Sequence, residues 1–189
     1  MIADENERQL LAKYLPDCTW PVLVTGIGGV NVIRALRDMP RDTQILNVGY
    51  AGSADYAIGT LVEVSRVSLN HPNCDYDEPE CPLTPLDESE LQTSMFPLAD
   101  LKSVCYTGTD FVLASNYREC VFDMELGFIA ALGFERVSAL KLVSDNLSLH
   151  TYHDTVRQDN NTKNVELSCR DNTNDVLLRR EQNRTNQNT

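Results

Sequence analysis

Residues 45–69 read ILNVGYAGSADYAIGTLVEVSRVSL, and their pattern decides the fold. ILNV, 45–48, is a short apolar run of the kind that forms a strand buried on both faces. Gly49-Tyr50-Ala51-Gly52 breaks it with mostly small residues, and beyond Gly59 the run TLVEVSRVSL alternates as a second strand should. Upstream, PVLVT at 21–25 reads as another buried strand. It leads through Gly26-Ile27-Gly28-Gly29 into a helical pattern, VNVIRALRDM, that Pro40 stops. Before it, ENERQLLAKYL at 5–15 reads as an amphipathic helix with Leu10, Leu11, Tyr14 and Leu15 inward, ended by Pro16. Downstream, SVCY at 103–106 is a short strand ahead of Thr107-Gly108-Thr109-Asp110-Phe111. VFDMELGFIAAL at 121–132 runs from a strand end into a buried helix, and VSALKLVS at 137–144 is a late strand ending in Asp145-Asn146.

Strands that alternate with helices argue for a largely parallel sheet flanked by helices. Ligands in such sheets bind beyond the carboxyl ends of the strands. Four loops, GIGG, GYAG, TGTDF and SDN, follow strands here, so they are expected to converge on one pocket. Residues 70–100, rich in Pro, Asp, Glu and Asn, read as a surface excursion. The expected domain is 1–156. Residues 157–189 form a polar extension with short elements at VELSC and DVLLRR and a disordered end.

The 189 residues suit one domain, and 42% hydrophobic with 23% charged residues is ordinary for a globular chain. The net charge of −12 falls wholly on residues 1–146, because acids and bases balance over 147–189. An acidic body disfavours nucleic acid and anionic membranes as partners. No apolar run reaches membrane length, and the acidic opening Met1–Glu5 lacks the apolar core of a signal peptide. The cysteines form no C-x-x-C pair, and His71, His150 and His153 share no ligand spacing, so no metal is expected. Reduced thiols and a cytoplasmic location follow as the default. In that setting the N-x-S/T triplets at Asn146, Asn160 and Asn183 carry no meaning.

Each motif has two readings on its own. Gly26, Gly28 and Gly29 either let a backbone approach an anion at a helix start or simply turn the chain. Asn31 stands where a dinucleotide fingerprint needs glycine. Glu125 beside a core helix is costly unless partnered. It either grips vicinal sugar hydroxyls or sits solvated at a helix start. Asp145 either acts as a general acid with a raised pKa or makes an Asx turn with Asn146.

Taken together, VTGIGGVN (24–31), NVGYAGSADYAIGTLVEV (47–64), TGTDFV (107–112), DME (123–125) and VSDN (143–146) resemble, in order, the nucleoside phosphorylase/nucleosidase superfamily, nearest its methylthioadenosine/S-adenosylhomocysteine nucleosidase branch. The resemblance implies an α/β fold, a three-layer α/β/α sandwich around a central mixed sheet, with the first strand short or missing. It implies cleavage of the N-glycosidic bond of a purine nucleoside, by water in nucleosidases or by phosphate as co-substrate in phosphorylases, without another cofactor, in a homodimer. A catalytically silent nucleoside-binding relative is the remaining alternative. Residue by residue, Asp145 resembles the acid at purine N7, with Asn146 beside it. Glu125 and Met124 resemble the ribose-binding pair, Phe111 and Val112 the base contacts, and Ala51 and Gly52 the small pocket-lining residues. Gly26, Gly28 and Gly29 would form the loop facing the anion or nucleophile. The register of Ala3 through Leu11 places Asn6 where nucleosidases carry the water-activating glutamate, and a shift of one residue places Glu5 or Glu7 there. Tyr50 replaces a small polar residue. Arg34, Arg37 and Arg66 are available but match no phosphate-binding position.

Overall fold

Ile45, Leu46 and Val48 seed a strand that runs further than the apolar run itself. In the computed structural model β1 spans Gln44–Gly52, all of it buried beyond Gln44. The small residues of the GYAG segment allow this, because Gly49, Ala51 and Gly52 admit other groups against the backbone. The structure describes residues 1–69, 89–91 and 99–166, with side chains through 157. Two compact units divide the chain, Met1–Thr155 and Val156–Thr189. Most of the 70–100 excursion and the end of the polar tail lie outside the described residues, as do the short elements expected there.

In the first unit a 3-10 turn, Glu5–Glu7, precedes α1 (Arg8–Tyr14), followed by α2 (Gly29–Leu36) and β1. Then come β2 (Leu61–Ser68), β3 (Ser89–Glu90), β4 (Leu101–Thr107), β5 (Cys120–Asp123), α3 (Leu126–Ala131) and β6 (Arg136–Asp145). The last element, α4 (Leu149–Glu166), crosses the division between the units. Its first turns were not legible as a helix, since His, Thr and Asp give no apolar stripe.

The sheet is mixed, as expected, but it does not lie open between two helical layers. Its order is β3-β2-β4-β5-β1-β6, and β6 returns to pair with β2. Five strands therefore close into a ring, with β3 appended to β2. Pairings β1–β6, β2–β4 and β4–β5 are parallel, whereas β1–β5 and β2–β6 are antiparallel. The closure corrects the open-sandwich expectation. Accumulated strand twist brings Leu61, Val62 and Glu63 of β2 against Leu142, Lys141 and Leu140 of β6. Core residues from β1, β2, β5, β6, α2 and α3 join in one cluster that includes Val62, Val64, Val121, Val143, Leu36 and Ile129. Each such side chain contributes roughly 1.5–3 kcal/mol by leaving water.

The expected strand at 21–25 is a second correction. Val24 makes a single parallel bridge to Ile2, and Trp20, Val22, Leu23 and Val24 are exposed rather than buried. Residues 1–3 form a remnant first strand. Ile2 N–H donates to Leu23 O at 3.0 Å, Thr25 N–H donates to Ile2 O at 3.1 Å, and Val48 N–H donates to Met1 O at 3.0 Å. The 21–25 segment thus has a neighbour on one side only. Among the described residues no helix is long and apolar enough to cross a membrane.

Candidate functional site

Asp4 ends the remnant strand and caps the turn that follows. Its Oδ1 accepts the backbone N–H groups of Asn6 (2.9 Å) and Glu7 (3.2 Å), satisfying donors that a helical start leaves open. That turn decides which glutamate faces inward. Glu5 points to solvent and pairs with Arg8 at 2.6 Å. Asn6 donates its side-chain amide to Asp4. Glu7 is buried, and its carboxylate accepts from Ala3 N–H (2.5 Å) and Tyr50 N–H (3.0 Å). Gly49 makes this approach possible, since a Cβ there would lie 2.5 Å from Glu7 Oε1. Burial raises the Glu7 pKa, opposed by Lys141 and the two backbone donors.

Two more carboxylates face the same place. Asp145, the last residue of β6, is buried. It accepts Ser144 Oγ–H at 2.8 Å and Leu147 N–H at 2.9 Å. Burial raises its pKa, while those hydrogen bonds work the other way. Gly52 faces it so closely that a Cβ would sit 2.8 Å from Asp145 Oδ1. Glu125 lies at the start of α3, and Gly28 N–H donates to its Oε1 at 2.7 Å. The GIGG loop therefore does meet an anion, but the anion at Gly28 is the protein's own Glu125. Burial and then Asp123 push the Glu125 pKa up to about 7.

One buried cation faces these acids. Lys141 Nζ lies 2.6 Å from Asp123 Oδ2, with both side chains sealed from solvent. Burial pulls the Lys141 pKa down, but Asp123, Glu125, Cys105 and Glu7 outweigh it, and the net shift is upward. Asp123 also accepts from Leu126 N–H at 3.0 Å and from the Thr107 hydroxyl. Sequence reasoning missed Lys141, although a lone lysine inside the apolar run VSALKLVS signals a buried charge that needs a partner.

Ala3, Asp4, Glu7, Ile27, Tyr50, Ala51, Phe111, Phe122, Asp123, Met124, Glu125, Ser144, Asp145 and Tyr152 enclose a cavity of about 160 Å³. A smaller hollow of about 30 Å³ shares Phe111, Met124 and Asp145 with it and adds Gly52 and Val112. Eight of the residues expected from sequence thus line one place: Ala51, Phe111, Met124, Glu125, Asp145 and Glu7 line the main cavity, and Gly52 and Val112 its annex. Glu5 and Asn146 do not. Glu5 is turned out by the Asp4 cap, and exposed Asn146 accepts instead from the Thr151 hydroxyl at 2.9 Å. Asn6 also leaves the cavity, because Glu7 holds the inward register. Tyr152 and Asp4 are lining residues the sequence reading did not single out. A larger hollow of about 610 Å³ lies elsewhere, between α1, α2 and residues 20–23. Arg8 is its one charged side chain. Among the described residues no cluster of His, Cys, Asp and Glu is arranged to hold a metal.

No family model and no curated protein matches the chain. Solved structures do. The 5′-methylthioadenosine/S-adenosylhomocysteine nucleosidase of Streptococcus pneumoniae, solved with a transition-state inhibitor, aligns with a TM-score of 0.60 at 17% identity, covering 84% of this chain and 90% of that one. The Helicobacter pylori nucleosidase, with 5′-methylthioadenosine in its active site, gives 0.60 at 16% identity over 84% and 90%. The Chlamydia trachomatis nucleosidase gives 0.59 at 18% identity over 84% and 89%. The chain has the fold of these nucleosidases.

Proposed function

We propose that this chain hydrolyses the N-glycosidic bond of a purine nucleoside. The observation that carries the reading is the convergence of three buried carboxylates with raised pKa values, Glu7, Glu125 and Asp145, on one cavity walled by Phe111 and Met124. The fold shared with nucleosidases supports it.

The chemistry follows from the residue types. Breaking the bond from C1′ to the base sends its electron pair into the purine and leaves an oxocarbenium-like sugar. Asp145, whose pKa burial raises, is the acid that donates a proton to purine N7, and Phe111 stacks on the base. Glu125 accepts hydrogen bonds from the 2′- and 3′-hydroxyls and places negative charge near the cationic sugar, with Met124 packed beside it. Glu7 takes a proton from the water whose oxygen bonds C1′. Lys141 acts as a positioning residue through Asp123, holding the acids in a site that would otherwise carry only negative charge. No metal or organic cofactor enters these steps.

Phosphorolysis fits less well. Five acids, Asp4, Glu7, Asp123, Glu125 and Asp145, line the cavity, and among the described residues no arginine or lysine does. Arg34, Arg37 and Arg66 are exposed and away from it. A phosphate dianion would meet like charge. A silent binder is disfavoured because Glu7, one of the registers open for the water-activating glutamate, lines the cavity.

The test is purine release from a panel of nucleosides with and without phosphate. Release should need no phosphate. Asp145→Asn should lower kcat by about 10²–10⁴-fold in a protein whose circular dichroism is unchanged, and a near-full rate would remove Asp145 from its role.

The proposal includes a homodimer. Residues 18–33 carry no charged side chain in a chain of net charge −12. Trp20, Val22, Leu23, Val24, Ile27, Val30 and Ile33 within them are exposed, beside the 610 Å³ apolar hollow. Two acidic copies can approach there without like-charge contact, and apolar surface of this extent marks an interface.

A further inference from the structure

The cavity walls are unequal in hydrogen-bonding character. Asp4, Glu7, Asp123, Glu125 and Asp145 offer acceptors. The side-chain donors are few: Ser144 Oγ–H donates to Asp145, and the Tyr50 hydroxyl accepts from Gln9 Nε2 at 3.4 Å. Tyr152 is the third. Its ring stands edge-on to Phe111 (centroids 5.7 Å apart) and to Tyr50 (6.3 Å). Its hydroxyl meets no hydrogen-bond partner among the described residues.

Burial, followed by Asp4, Glu7, Glu125 and Asp145 in that order, pushes the Tyr152 pKa up to about 12. The phenol therefore stays protonated, and its ring stands against both Phe111 and Tyr50, the residue whose backbone N–H holds Glu7. With a base on Phe111 and Asp145 and the sugar diol on Glu125, the 5′ group is the remaining polar handle of a nucleoside. Resting on the reading of the site as a nucleosidase, we infer that Tyr152 contacts the 5′ position and selects nucleosides that keep a plain 5′-hydroxyl over those with a 5′-thioether.

A hydroxyl accepts from the Tyr152 phenol and donates to Asp4 or Glu7 in the same geometry. A thioether sulfur is a weak acceptor and donates nothing, so it leaves the phenol without a good partner, which is the costly outcome.

The experiment measures kcat/KM and competitive binding for adenosine and inosine, their 5′-deoxy counterparts and 5′-methylthioadenosine. Wild type and Tyr152→Phe, which keeps the ring contacts, are compared. The expected result is a preference of about tenfold or more for the 5′-hydroxyl over the 5′-deoxy nucleoside. In Tyr152→Phe that ratio should fall towards one, chiefly through loss on the 5′-hydroxyl substrate. Should Tyr152→Phe fail to fold, the wild-type ratio alone decides. Equal or better handling of 5′-deoxy or 5′-methylthio nucleosides by wild type overturns the selection by Tyr152 and leaves the nucleosidase reading standing. Failure of every nucleoside to bind or react overturns both.

Discussion

At the scale of single residues, the site is a problem in where protons reside. Glu125 has a folded pKa of about 7 against an ordinary value of 4.5, first because of burial and then because of Asp123. Folding thus favours its protonated form. That contribution is complete below about pH 4.5 and is lost as the pH climbs towards 7, a change on the order of 3 kcal/mol. Glu7 and Asp145 shift in the same direction. These acids make a stability difference in favour of pH 5 over pH 8, which the buried Met1 amine, its pKa lowered to about 6, opposes. Glu125→Gln should shrink that difference and raise stability at pH 8, as read from urea midpoints at the two values. A variant whose midpoints keep the full wild-type dependence would show that Glu125 is not the group responsible. Sequence alone revealed that Glu125 and Asp145 sit at strand and helix junctions. It could not reveal that Gly28 N–H and Ser144 Oγ–H would meet them, because those partners come from distant or differently turned backbone.

At the scale of elements, the carboxyl end of β1 shows how a loop-like motif serves a strand. GYAG looks like a break, yet it continues β1 to Gly52 in register with β6, from Gln44 opposite Arg136 to Ala51 opposite Val143. Its glycines are spaces for carboxylates. Gly49→Ala should drive Glu7 from its hydrogen bond with Tyr50 N–H, since the new Cβ would fall 2.5 Å from Glu7 Oε1. We expect kcat for base release to fall at least tenfold, with a modest loss of thermal stability, and with substrate binding at Asp145 and Phe111 retained. Unchanged kcat would mean that Glu7 can relocate without cost to the reaction. The 3-10 turn at 5–7 teaches a related lesson. Periodicity located a helix there and left the inward glutamate open among neighbouring positions. The cap by Asp4, a contact over two and three residues, fixed the rotation that puts Glu7 in and Glu5 out.

At the scale of the whole molecule, the uncharged exposed stretch at 18–33 and the acidic remainder predict association through one face. Native mass spectrometry or sedimentation at micromolar concentration should find a dimer, and Ile33→Glu or Val30→Glu should yield folded monomer. A monomeric wild type would show that the apolar surface serves another contact. Order along the chain by itself determined the strand–helix alternation, the positions of the loops and the chemical types gathered in them, because hydrophobic periodicity and glycine placement act locally. It also showed that PVLVT is apolar, but not that it would lie exposed, since burial depends on which neighbours arrive. Only the tertiary structure decided that the sheet closes through β2 and β6, that Lys141 neutralises Asp123, and that Tyr152 stands against Phe111 and Tyr50 in the cavity wall. Those facts join residues far apart in sequence, and strand pairing and twist across the fold, rather than any local propensity, bring them together.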